Sequence, residues 1–159
     1  VHEHRLRIVE ETAARLGVRG LQTVVLDAAA PLPFSAGAFE RVLVDAPCTG
    51  TGTLRHNPEI RWRITPADIV ELAARQGLIL SNCAGAVRPG GRLVYSTCSV
   101  EPEENEGVVA RFLSERGDFR QVEARPAPTE LLGASGAART WPHRHDTDGF
   151  FVAAFERAV

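Results

Sequence analysis

Residues 41–52 read Arg41-Val42-Leu43-Val44-Asp45-Ala46-Pro47-Cys48-Thr49-Gly50-Thr51-Gly52. A short apolar, partly β-branched run ends on an acid and passes at once into a Pro-Cys-Thr-Gly stretch that continues neither helix nor strand. A buried strand of an α/β sheet ends in this way: unbroken Val and Leu because both faces are covered, then irregular backbone at the carboxyl end, where such sheets bind ligands. The pattern recurs at Leu93-Val94-Tyr95-Ser96-Thr97-Cys98-Ser99. Cys48 and Cys98 therefore each follow a strand, on loop backbone that can expose a thiolate. Two such cysteines indicate covalent chemistry.

Working outward, Leu21 to Leu26 reads as a further strand, ending at Asp27. Upstream of it, Glu3 to Leu16 carries Leu6, Val9, Ala13 and Leu16 at helical spacing, a helix expected to pack one face, with Gly17 as its C-cap. Downstream of Gly52, Thr65 as N-cap, Pro66 at N1 and Asp68 at N3 open a long helix with an expected buried stripe of Ile69, Leu72, Leu80, Cys83 and Val87. Pro89-Gly90-Gly91 predicts a turn into the strand before Cys98. Pro102, Glu103 and Glu104 read as the start of another helix, where early acids suit the dipole, with Val108, Val109, Phe112 and Leu113 on its apolar face. Phe119 to Val122 and Phe150 to Phe155 read as closing strands, and Arg125 to Arg139, rich in Pro, Ala and Gly, as a surface loop. This alternation predicts an α/β sheet whose carboxyl rim gathers Asp27, Asp45, Cys48 and Cys98.

With 159 residues, 44% of them hydrophobic and 24% charged, the chain is expected to form a single domain. A formal net charge of −2 argues against binding polyanions through bulk charge. All 18 basic residues are arginine, a bias that most simply reflects genomic base composition. Three cysteines and no signal-peptide or membrane-spanning pattern point to the reducing cytoplasm.

Several motifs in order carry a resemblance. Asp45-Ala-Pro-Cys-Thr-Gly-Thr-Gly, Asn57-Pro58-Glu59-Ile60-Arg61-Trp62, Pro89-Gly90-Gly91 before Leu93 to Ser99, Pro102-Glu103-Glu104-Asn105-Glu106 and Asp148-Gly149-Phe150-Phe151 together resemble the Sun/RsmB-type RNA cytosine-5 methyltransferases. The resemblance implies a partial Rossmann-like, class I S-adenosylmethionine-dependent methyltransferase sheet lacking its first strands. It implies methyl transfer from S-adenosylmethionine to carbon 5 of a cytosine in RNA, with ribosomal RNA of the small subunit ahead of transfer RNA. Cys98 then corresponds to the nucleophile, Cys48 to the cysteine assisting product release, and Asp45 to the residue holding the cytosine edge. Asp27, with Asp45 and Pro47, falls on the cofactor side, and Arg55, Arg61 and Thr97 on the substrate side. An extruded, unpaired cytosine is the expected target, since unstacking a base costs a few kcal/mol.

Other readings stand beside these. Cys48 as nucleophile, in a Pro-Cys frame like that of DNA cytosine methyltransferases, is one; a non-catalytic RNA-binding or assembly module is another. Asp27 and Asp45 could simply cap turns. Cys83, on a helix's apolar face, reads as structural. His143, His145, Asp146 and Asp148 fit no zinc spacing well, so no metal is expected. Gly50 and Gly52 read as a flexible loop for Cys48, because no Walker lysine follows. Arg55, His56, Arg61, Trp62 and Arg63 read equally as an RNA contact or as a solvated loop with Trp62 in the core.

The family's glycine-rich cofactor loop, its first strands and its N-terminal RNA-binding region do not occur in these residues. Residues 1–45 are thus expected to be the remnant of a cofactor-binding half and residues 46–159 the catalytic and substrate half of one N-terminally truncated catalytic domain. The exposed sheet edges are expected to favour homo-oligomers or to displace the strand at Leu21 to Leu26. Alone, the chain is expected to bind S-adenosylmethionine weakly or not at all.

Overall fold

A computed structural model describes residues 3–159. The elements are α1 (Glu3–Arg15), β1 (Phe39–Asp45), α2 (Ile60–Arg63), α3 (Pro66–Gly85), β2 (Val87–Thr97), α4 (Glu106–Glu115), β3 (Phe119–Val122), β4 (Ala138–Arg139), α5 (Pro142–His145) and β5 (Phe151–Arg157). The sheet order is β1-β2-β5-β3, with β4 also on β5. β1 and β2 run parallel, pairing Val44 with Tyr95 and Asp45 with Ser96, while β5 is antiparallel to both β2 and β3.

The alternation along β2 and β5 assigns their faces. Leu93, Tyr95, Ala153 and Phe155 point toward α3 and α4, meeting Leu80, Ile79, Val109 and Phe112 in the main core. Phe112 stacks edge-on against Phe155, 5.0 Å between ring centroids. Burying each such ring stabilises the fold by roughly 1.5–3 kcal/mol. On the opposite face Ala154 packs with Ala124 and Ala138, with Val94, Val122 and Val152 against them. The Arg125 to Arg139 segment therefore covers a sheet face, and it is not loop throughout, since β4 closes it.

The α3 start follows the sequence reading: the Thr65 N–H donates to Asp68 Oδ2 at 2.8 Å and the Asp68 N–H to Thr65 Oγ1 at 3.4 Å, a reciprocal capping box. Of the expected stripe, Leu80 is fully buried, Cys83 packs against the core and Val87 is buried but already belongs to β2; Gln76, Ile79 and Ala84 complete the buried side. Pro89-Gly90-Gly91 does not form a separate turn. It lies within β2 as a bulge, where β1 advances from Phe39 to Arg41 while β2 advances from Val87 to Arg92. α4 begins at Glu106, later than expected, because residues 102–105 form a turn that buries Glu104 and Asn105.

The N-terminal part departs most from expectation. Leu21 to Leu26 forms no strand, and Leu21, Val24 and Val25 are exposed. A strand needs a neighbour to take its backbone hydrogen bonds, and the chain places none beside this segment. α1 forms and ends in a Schellman cap, Gly17 N–H to Ala14 O at 3.1 Å and Val18 N–H to Ala13 O at 2.9 Å. It packs no face, however: none of its residues is buried, and Ile8 and Val9 are exposed. β1 has β2 on one side only, and on it Leu43 is 67% exposed. Among the described residues no helix is long and apolar enough to cross a membrane.

Candidate active site

Because β1 and β2 are parallel, their carboxyl ends lie at one edge, and their register sets Asp45 opposite Ser96. Ser96 Oγ donates to Asp45 Oδ1 at 3.0 Å, and the Ala46 N–H to Ser96 O at 3.0 Å. Beyond these ends the two loops converge, so that Cys48 Sγ and Cys98 Sγ are 3.3 Å apart as free thiols. Two backbone bonds fix the approach: the Gly52 N–H donates to Cys98 O at 2.9 Å and the Gly149 N–H to Gly52 O at 2.8 Å. The contact at Gly52 admits no side chain, since a Cβ there would fall 2.1 Å from the Gly149 carbonyl oxygen.

The two cysteine loops are held from below by consecutive residues. Glu104, fully buried, accepts from the Thr49 N–H at 2.9 Å, from the Thr49 hydroxyl at 2.5 Å and from Gln76 Nε2 at 2.8 Å. Gln76 also donates to Pro47 O at 2.8 Å, so the Cys48 loop is gripped on both sides of the cysteine. Asn105 does the same for Cys98: its Oδ1 accepts from Thr97 Oγ1 at 2.6 Å and its Nδ2 donates to Ser99 O at 2.9 Å. The Tyr95 hydroxyl reaches Glu104 O at 2.6 Å and Gln76 Oε1 at 3.1 Å. Burial, with the Glu104 charge beside it, pushes the Tyr95 pKa up and keeps it a donor.

Sequence reasoning missed Glu104, Asn105, Gln76 and Thr49. Expected as an acid opening α4, Glu104 lies instead in the turn before that helix, buried under both loops. The available signal was Asn105, which directly follows Glu104 where a solvated N-terminus would not need the pair.

The thiol pair is asymmetric. With Cys48 as the donor of the thiol–thiol hydrogen bond, the Cys98 pKa is held down to about 7, although burial and the Asp45 and Glu104 charges oppose this. The same hydrogen bond, with burial, pushes Cys48 up. In this polarity Cys98 is the thiol closer to ionisation and Cys48 the one that holds its proton. Iodoacetamide should therefore alkylate Cys98 with a midpoint near pH 7, its rate rising as pH increases through that value. In Cys48→Ala the donor is lost and the midpoint should climb toward the usual thiol value of about 8.5, lowering reactivity at pH 7 about tenfold. Peptide-resolved mass spectrometry would separate both from Cys83, whose pKa burial raises.

The other expected site residues disperse. Asp27 is not at a strand end; its carboxylate accepts from the Ala29 N–H at 3.0 Å and pairs with Arg75 of α3 at 3.3 Å. Thr97 is fully buried with its hydroxyl bound to Asn105, so it supports Cys98 from beneath and faces no substrate. Arg55 is exposed and pairs with Asp146 at 3.3 Å, and Arg61 lies over the Trp62 ring at 5.5 Å. Pro47 and Asp45 are exposed beside the thiols. His145 accepts from the Trp141 N–H at 2.8 Å, and Asp148 lies 3.6 Å from His56. These contacts, with Gly52 on Gly149, fasten the residues after Cys48 to the 140–149 segment.

With 33% identity and a TM-score of 0.80, 99% of the chain matches 40% of NSun6 from Pyrococcus horikoshii, solved with SFG. The thiol pair sits at the carboxyl rim of a partial Rossmann-like sheet of the methyltransferase class; the chain is 33% identical, with a TM-score of 0.76, to a methyltransferase homologue from Pyrococcus horikoshii. Residues 1–156 match the 16S rRNA methyltransferase RsmB/F family, and the chain belongs to that family. It is 38% identical, over 99% of its length, to the probable ribosomal RNA small subunit methyltransferase B of Synechocystis. It is 42% identical, over 92%, to ribosomal RNA small subunit methyltransferase B of Thermus thermophilus. The chain spans about a third of these relatives, 36% of the first and 35% of the second.

Proposed function

We propose that this chain is the catalytic part of a cytoplasmic enzyme that methylates carbon 5 of a cytosine in small-subunit ribosomal RNA through a covalent adduct on Cys98. The observation that carries the reading is the 3.3 Å thiol pair at the carboxyl edge of parallel strands, with one thiol poised to ionise and the other to keep its proton. The family match and the small-subunit relatives support the RNA substrate.

In this reading the Cys98 thiolate adds to carbon 6 of the extruded base, which makes carbon 5 nucleophilic. S-adenosylmethionine, when bound, supplies the methyl group. Asp27, Asp45 and Pro47 would hold it; both carboxylates are exposed and fit a polar ligand. Asp45 also lies where it can accept from the ring nitrogen and amino group of the adduct. After methyl transfer a solvent water takes the carbon 5 proton, the carbon 5–carbon 6 double bond re-forms, and the Cys98–carbon 6 bond breaks with its electron pair returning to the Cys98 sulfur, which the Cys48 S–H stabilises as it leaves. Arg55 and Arg61 contact RNA phosphate, and Thr97 positions Cys98. Residues 1–45 belong to a cofactor-binding half completed elsewhere in the full-length protein, so the isolated chain binds S-adenosylmethionine weakly.

The test is methyl transfer by the full-length protein from labelled S-adenosylmethionine to unmodified small-subunit ribosomal RNA, followed by nucleoside analysis. Label in 5-methylcytidine is expected. Label in another nucleoside would sink the reading, and RNA binding without transfer would favour an assembly module.

A further inference from the structure

Trp62 is the anomaly of the surface. It is 74% exposed, with Arg61 laid against it 5.5 Å from the ring centroid. The second tryptophan, Trp141, is by contrast half-buried under Arg139 at 4.8 Å. An exposed indole leaves a large apolar face in water, and nothing in the core claims it. Its neighbours give it a charge context. Residues 55–63 carry Arg55, Arg61 and Arg63 against Glu59 alone, within a chain of net charge −2. Arg55 pairs with Asp146, but neither Arg61 nor Arg63 has an ion-pair partner among the described residues.

The patch is rigidly joined to the thiol loop. Thr53 accepts from the His56 and Asn57 N–H groups, each at 2.9 Å, which carries the backbone directly from the Cys48 loop into α2. A Cβ at Gly50 would touch Ile60 at 3.2 Å, so the first turn of α2 rests on that loop. Between α2 and α3 lies an open cavity of about 410 Å³ bordered by Thr49, Ile60, Arg63 and Leu72, with the acids Asp68 and Glu71 on its α3 side. One wall of this cavity is therefore the residue after Cys48, and the other carries an unpaired arginine one position from Trp62.

A flat aromatic face, a guanidinium lying on it and free arginines alongside are what an unstacked nucleobase and its flanking phosphates require. A protein or lipid surface could also use tryptophan with arginine; the direct backbone link from this patch to the Cys48 loop favours RNA. We infer that Trp62 is a stacking platform for a base of single-stranded RNA flanking the target nucleotide, with Arg61 fixing the ring and Arg63 meeting the adjoining phosphate. This deepens the proposed function and rests on it for the identity of the target.

The test measures affinity of the full-length protein for a fluorescein-labelled single-stranded RNA of about ten nucleotides containing one cytosine, by anisotropy, and KM for methylation of the same RNA. Trp62→Ala should weaken binding about 10- to 100-fold, the range for loss of one stacked base, with the loss greater in KM than in kcat. Trp62→Phe should recover most of it. RNA made abasic at the flanking position should cost the wild-type protein the same factor and Trp62→Ala nothing further. Equal affinity of wild type and Trp62→Ala would overturn the inference, as would full additivity of the variant and the abasic change. A lowered melting temperature in Trp62→Ala would overturn it too, by showing that another part of the protein covers the ring. The two ideas separate cleanly. Trp62-dependent binding without methylation sinks the proposed function and keeps the platform, whereas methylation indifferent to Trp62 sinks the platform alone.

Discussion

Replacing Cys98 by alanine in the full-length protein is expected to abolish methyl transfer to RNA, whereas replacing Cys48 leaves a protein that attaches to RNA and is slow to let go. The difference follows from the protonation of the pair. Cys98, held near pH 7 by the Cys48 hydrogen bond, is the sulfur available as a nucleophile, and the thiol beside it, Cys48, keeps its proton and is poorly suited to take over. Loss of a nucleophile that forms a covalent intermediate removes the whole pathway, so a fall of at least about 10⁴-fold is expected, comparable with the loss of other catalytic nucleophiles. Cys48→Ala still forms the adduct but loses the group beside the breaking bond. Its products should include a protein–RNA complex that survives denaturing gel electrophoresis. A 5-fluorocytosine RNA, which lacks the proton to be removed, should trap the wild type and Cys48→Ala but not Cys98→Ala. Trapping by Cys98→Ala and not by Cys48→Ala would transfer the nucleophile to Cys48.

The second large effect concerns stability and falls on a residue that touches no substrate. Glu104→Ala takes the acceptor away from the Thr49 N–H, the Thr49 hydroxyl and a Gln76 amide hydrogen, all in the interior. Buried donors left unpaired cost about 1–3 kcal/mol each, and the Thr49 hydroxyl can turn instead to Ser99 at 3.2 Å. A loss of about 3–5 kcal/mol is expected, a large part of the roughly 5–15 kcal/mol that holds a domain folded. At this chain length that lowers the melting temperature by roughly 10 °C. Glu104→Gln, close in shape and still an acceptor through its carbonyl, should lose less. Because the Glu104 charge opposes ionisation of Cys98, Glu104→Gln should also shift the Cys98 alkylation midpoint to lower pH. A purely structural support would leave that midpoint in place. Melting temperatures of Glu104→Ala and wild type within a degree or two of each other would refute the account.

The features legible in the sequence share one property: the residues that encode them also satisfy them. Thr65 and Asp68 cap α3 by bonding each other three residues apart. The apolar runs of β1, β2 and β5 name the strands, and the two cysteine frames name the edge where the strands end. Glu104 was misread because its partners Gln76 and Thr49 lie 28 and 55 positions away, and a rule about acids near helix starts sees neither. Thr97 was misread for the same reason, its hydroxyl being taken by Asn105 beneath the loop. Leu21 to Leu26 and the apolar side of α1 carry the correct periodicity, but periodicity specifies a face and not what lies against it. Trp62 could be read either way from its neighbours, and only its exposure removed the core reading.

The place of β5 in the sheet has a bearing on how the protein comes into being. Asp45, Cys48, Cys98 and Glu104 all precede it in the chain, yet β5 lies between β2 and β3, and the Gly149 just before it locks Gly52. While a ribosome is still adding these late residues, the emerging polypeptide already holds all four, with β2 open along the edge that β5 will take. Until Gly149 arrives, the Cys48 loop lacks its clasp on Gly52, so a strand made late fastens a pair of loops made early.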